Sequence, residues 1–191
     1  RMSKKATTPK TPEIIHTRKC GTVAIVGRPN VGKSTLLNAL LEEKVSIVSN
    51  VPQTTRNQIR GIYTDERGQI IFIDTPGLHL GKDKLDKYMN RASLGSIDSV
   101  DVIIHLVDSS EHTGPEEEHV VSRLNKCGKP IIVGLNKVDV GRGKYISEYI
   151  KLWEDTRGKP MGEMQDLTLF PLSGLKGTNV KNLIDKKKKK M

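Results

Sequence analysis

From residue 22 onward, short apolar runs rich in β-branched residues alternate with segments of helix-like spacing. The apolar runs fall at 22–26, 59–63, 69–73, 102–107, 131–135 and 167–172, and predict six strands. Helix-compatible stretches lie near 33–41, 84–95, 116–126, 145–156 and 179–187. The strand runs lack a clean apolar–polar alternation, as expected where both faces of a sheet are covered. Strand–helix repetition then predicts an α/β fold, a mostly parallel six-stranded sheet with helices on both faces. The second and third runs are separated only by residues 64–68, too few for a crossover, so they form an antiparallel hairpin at one edge.

Composition narrows the class. A chain of 191 residues and 21.2 kDa holds one domain of ordinary size. Its longest apolar stretch, 100–107, is interrupted by Asp101 and His105 and is too short to span a bilayer. The beginning of the chain lacks an apolar signal region. Cys20 and Cys127 suit neither a disulfide framework nor a zinc site. The net charge of +10 is a property of the ends: residues 1–19 carry six basic side chains against one acidic, residues 180–191 carry the same excess, and the rest is balanced. The expected organisation is a disordered basic arm over 1–19, a folded domain over 20–185 and a lysine tail over 186–191. Such tails bind RNA, anionic lipid or nothing in particular.

Directly after the first strand stands Gly27-Arg28-Pro29-Asn30-Val31-Gly32-Lys33-Ser34-Thr35, which fits GxxxxGK[ST] between a strand and a helix. Gly27 and Gly32 let the loop curl so that backbone N–H groups face phosphate oxygens, and the helix N-terminus adds partial positive charge. Lys33 would reach the β- and γ-phosphates, and Ser34 would ligate Mg²⁺. Asn136-Lys137-Val138-Asp139 follows the fifth strand run, at the carboxyl end where ligands dock in open α/β sheets. The Asp139 carboxylate can accept from guanine N1–H and the 2-amino group, which adenine lacks. Asn136 can serve the other base edge and brace the phosphate loop, and the Lys137 stem can cover one face of the base. Asp74-Thr75-Pro76-Gly77 ends the third run: Asp74 can hold Mg²⁺ through water and the Gly77 N–H can meet a γ-phosphate. Thr54 or Thr55, with Thr55 preferred, would complete the Mg²⁺ shell from a loop released after hydrolysis. Ser173-Gly174-Leu175, after the last run, places backbone N–H groups where guanine O6 could accept.

In this order the motifs resemble the Era family of GTPases, within the TrmE-Era-EngA-YihA-Septin-like group of P-loop proteins. The resemblance runs from about residue 22 to 183, and its most distinguishing piece is Val51-Pro-Gln-Thr-Thr-Arg-Asn-Gln-Ile59 followed by Asp74-Thr-Pro-Gly-Leu-His79. It implies a P-loop G domain that binds GTP and GDP and hydrolyses GTP with Mg²⁺. It also implies a cytoplasmic protein that serves as a switch in 30S subunit assembly and 16S rRNA maturation, and peripheral contact with an anionic membrane is compatible with the basic tails. Two departures stand out. Ser173-Gly174 replaces the family's usual Ser-Ala, and a lysine run stands where the family continues into a KH domain that binds rRNA. Truncation before such a domain is therefore expected, and the family's RNA-binding residues have no counterparts among these positions.

The catalytic set implied is Lys33, Thr55 and Gly77. Leu78 occupies the position where many GTPases carry a water-orienting glutamine, which predicts slow intrinsic turnover. Asn30 either binds K⁺ beside the phosphates, as in related GTPases, or stabilises the loop turn. A guanine-nucleotide module with negligible turnover that presents its switch loops to a partner is the alternative function. His79, His105, His112 and His119 form no defensible metal set; Glu116–Glu118 read as acids in a helix first turn, and Trp153 as helix packing.

Overall fold

The computed structural model describes residues 19–42, 59–73 and 97–190, with side chains described up to 185. In chain order these form β1 (Lys19–Val26), α1 (Lys33–Glu42), β2 (Ile59–Asp65), β3 (Gly68–Ile73), β4 (Val102–Asp108), α2 (Pro115–Asn125), β5 (Ile131–Asn136), α3 (Ile146–Arg157), β6 (Leu167–Pro171) and α4 (Val180–Lys190). The helix expected near 84–95 lies outside the described residues. The final helix runs on through the lysines to Lys190, past the expected domain boundary at 185.

The six strands make one sheet in the order β2-β3-β1-β4-β5-β6. Only β2 runs antiparallel, joined to β3 across a two-residue turn at Glu66 and Arg67. The other neighbouring strands pair in parallel. Strand β4 explains why the sheet is covered twice. Ile103 and Val107 face a core shared with α2 and α3, while Val102, Ile104 and Leu106 face a second core shared with α1 and α4. Every residue of β4 and β5 is buried, so neither strand could alternate in sequence.

Each core takes its helices by a 3–4 residue spacing. Helix α2 contributes Val120, Val121 and Leu124, and α3 contributes Tyr149 and Trp153, both fully covered. On the opposite face stand Leu36, Leu40 and Leu41 of α1, with Val180, Leu183 and Ile184 of α4. The chain leaves β1 towards β2 and β3 on one side, while β4 to β6 extend the sheet on the other. The reversal between β1 and β4 opens a crevice at their carboxyl ends, where doubly wound sheets hold ligands.

Candidate nucleotide site

The phosphate loop fills that crevice. Gly27 passes so near β4 that a Cβ would lie 2.2 Å from the Leu106 carbonyl oxygen, so no larger residue fits. Gly32 adopts φ +100°, and a Cβ there would lie 2.5 Å from Asn136 Nδ2. The Leu36 N–H donates to the Gly32 carbonyl at 2.9 Å, so α1 grows directly out of the loop. Lys33 reaches back over the curl: its ammonium donates to the carbonyls of Gly27 at 2.9 Å and Arg28 at 2.7 Å. Ser34 and Thr35 are exposed at the helix start, with the Ser34 hydroxyl open to a ligand. Asn30 sits at φ 63°, a conformation asparagine tolerates better than most residues.

The loops after β5 and β6 converge on the same place. Asn136, almost fully buried at the end of β5, donates from Nδ2 to the Val31 carbonyl at 2.8 Å. Its Oδ1 accepts from the Gly174 N–H at 2.9 Å, so one amide ties the phosphate loop to the loop after β6. These two bonds are the bracing expected of Asn136. Lys137 takes φ 61° and donates to Asp108 Oδ2 at 2.5 Å. Asp139 is exposed and has no hydrogen-bond partner among the described residues, leaving its carboxylate available to a base. Ser173 is buried; its hydroxyl accepts from the Lys176 N–H, closing the turn that carries Gly174. Leu175 is exposed at the same end. A Cβ at Gly174 would approach the Leu36 backbone to 3.2 Å, so the departure from alanine relieves a tight contact with α1.

Thr54, Thr55, Asp74, Thr75, Pro76, Gly77 and Leu78 lie outside the described residues, so the geometry displayed is that of the phosphate and base loops. Among the described residues no cluster of His, Cys, Asp and Glu could hold a metal ion by itself, and no helix is long and apolar enough to cross a membrane.

Several participants escaped the motif reading. Asp108, at the end of β4, holds Lys137 and accepts from the Ser110 N–H at 3.0 Å and hydroxyl at 2.5 Å. Burial opposes its charge, but Lys137 and Ser110 outweigh it and keep the carboxyl below its ordinary pKa. Glu117 of α2 is completely buried, accepting from Arg28 Nε at 2.7 Å and His105 Nε2 at 2.7 Å. Arg28 Nη2 also donates to the Tyr149 hydroxyl at 3.4 Å, and that hydroxyl donates to the Asp108 carbonyl at 2.8 Å. The Arg28 side chain is thus committed behind the loop, while its backbone stays at the site.

Desolvation works against the Glu117 carboxylate, yet His105 and Arg28 outweigh it and hold its pKa below the usual range. A depressed carboxyl pKa contributes stability that is present above the unfolded value of about 4.3 and lost as pH falls through the folded one. Glu117→Gln removes that contribution. The melting-temperature gap between wild type and Glu117→Gln is expected to shrink between pH 6 and pH 3; a constant gap would contradict the assignment.

Residues 22–137 match the model of a family described as 50S ribosome-binding GTPase. The chain belongs to this GTPase family. It is 42% identical over 167 residues to GTPase Era of Halothermothrix orenii, covering 87% of this chain and 54% of that protein. GTPase Era of Clostridioides difficile is equally similar over the same spans. The chain thus spans about half the length of the curated relatives it matches. Among solved structures, Era in complex with MgGDPNP and nucleotides 1506–1542 of 16S ribosomal RNA superposes with TM-score 0.70 at 37% identity, over 90% of this chain and 57% of that one. A variant of Aquifex aeolicus Era bound to GDP·AlF4⁻ gives TM-score 0.68, also at 37% identity, over 91% and 57%.

Proposed function

We propose that this domain binds GTP and GDP and hydrolyses GTP to GDP and phosphate. The observation that carries the reading is the Asn136 bridge, which joins a phosphate loop and a base loop into one site beside an exposed Asp139. Such an arrangement serves a nucleotide read at both ends, and Asp139 suits guanine. Lys33 supplies charge to the phosphates, and the α1 N-terminus supplies its dipole. The donors fit Mg²⁺ in kind: the Ser34 hydroxyl is exposed at the helix start, with Thr55 and Asp74 as its partners in holding the ion. Held by these residues, the ion would supply positive charge that offsets the terminal phosphates. Lys33, Thr55 and Gly77 form the catalytic set, and Leu78 in place of glutamine makes intrinsic turnover slow.

The likeness to Era extends the proposal to a switch in small-subunit assembly and 16S rRNA maturation. The relative bound to that RNA supports this reading, and a cytoplasmic location belongs to the same proposal. Peripheral contact with an anionic membrane through the basic ends belongs to the same proposal, resting on their charge.

Equilibrium titration with fluorescent GDP tests the core of the reading. Displacement by GTP but not by ATP is expected, and displacement by both would overturn it. A role for Asn30 in holding K⁺ has its own test. Phosphate release is expected to be faster in K⁺ than in Na⁺, and Asn30→Gly, which keeps the positive φ, is expected to erase the difference. Equal rates of wild type in the two salts would remove K⁺ from the mechanism.

A further inference from the structure

Behind the phosphate loop lies a set of buried polar groups that no sequence motif of this site includes. Glu117 carries a full carboxylate into the core shared by α2, α3 and the sheet. It stands at the spacing of Val120, Val121 and Leu124, where an apolar residue would pack without desolvating a charge. A charge buried at such cost calls for a use. Its partners show one. Oε1 meets His105, which takes an apolar position between Ile103 and Val107 on β4, and Oε2 meets Arg28 inside the phosphate loop.

The geometry points to Glu117 as a positioning residue for Lys33 and the phosphate loop, acting through Arg28. Arg28 is held from two directions. Its side chain is fixed by Glu117 at 2.7 Å and steadied by Tyr149, while its carbonyl accepts from the Lys33 ammonium at 2.7 Å. Any shift of the Arg28 backbone therefore moves an acceptor that sets where Lys33 points. Tyr149 extends the arrangement towards the base loop, since its hydroxyl donates to the carbonyl of Asp108, whose carboxylate holds Lys137. One buried carboxylate thus registers the phosphate end of the site against the sheet before a nucleotide arrives. Pre-ordering of this kind raises affinity by lowering the cost of organising the loop.

The inference rests on the proposed guanine-nucleotide site, and the two can fail separately. Affinities for GDP and for GMP are measured by displacement of a fluorescent GDP from the full chain, for wild type, Glu117→Ala, Arg28→Ala and the double variant. Each single variant is expected to weaken GDP binding by about tenfold, and the double variant no further than the weaker single, because both remove one unit. GMP, which gains little from the terminal-phosphate contacts of Lys33, is expected to bind all four nearly alike. Loss of GDP and GMP in equal proportion would mark a general loss of folded protein and overturn the inference, as would additive effects of the two changes. Glu117→Gln covers the case in which Glu117→Ala does not fold. Its amide oxygen can accept from Arg28 and its amide nitrogen can donate to His105, whose Nδ1 has no partner to lose. A several-fold loss for GDP with unchanged GMP supports the positioning role there, and unchanged GDP affinity overturns it. Failure of wild type to bind GDP would overturn the nucleotide reading itself.

Discussion

Asp139→Asn is expected to lower the affinity for GTP by roughly 10⁴-fold while leaving the fold intact. The change is isosteric and the side chain is exposed, with no partner among the described residues, so stability has little to lose. The chemistry at the base edge loses much more. A carboxylate accepts from both guanine N1–H and the 2-amino group. An amide offers one oxygen and turns two hydrogens towards donors. The same substitution is expected to admit xanthosine triphosphate, whose C2 carbonyl can accept from the new amide. Competition between the two nucleotides measures both effects. Retained preference for GTP would remove Asp139 from base recognition.

Asn136→Ala has the largest expected effect on stability. It leaves the Val31 carbonyl and the Gly174 N–H without partners, and both lie at buried positions. Each such group costs about 1–3 kcal/mol, so a loss of about 2–6 kcal/mol is expected. In a domain of this size that lowers the melting temperature by about 4–24 °C. Nucleotide affinity falls as well, because the phosphate and base loops lose their common brace. Thermal unfolding with and without GDP reads both quantities. Unchanged stability would mean that the bridge contributes nothing to the folded state.

Much of this was legible in the sequence because the relevant signals are local. The GxxxxGKS stretch at 27–34 announces a strand, a turn and a helix start within eight residues, and all three stand where expected. The five residues 64–68 between two strand runs forced an antiparallel hairpin on grounds of reach alone. What escaped was the network behind the loop, since its members are far apart in the chain. Arg28 and Glu117 are 89 residues apart, and no motif spacing relates them. A signal was nevertheless present. Among three consecutive glutamates, Glu117 alone falls on the stripe with Val120, Val121 and Leu124, and reading all three alike as first-turn acids overlooked that phase. His105 likewise shares the alternation of Ile103 and Val107. A polar residue on an apolar stripe implies a buried partner, and here each supplies the other's. The lysines to Lys190 extend a helix because lysine is a good helix former, so the change of composition at 186 did not mark a change of local structure.

Phosphate release from GTP by the wild-type chain, with ATP as control and Mg²⁺ supplied, tests the central claim most directly. Slow release from GTP that stops when Mg²⁺ is chelated, with none from ATP, is the predicted result. Equal release from both nucleotides, or GTP binding with no release in either K⁺ or Na⁺, would contradict the account of this domain as a GTPase.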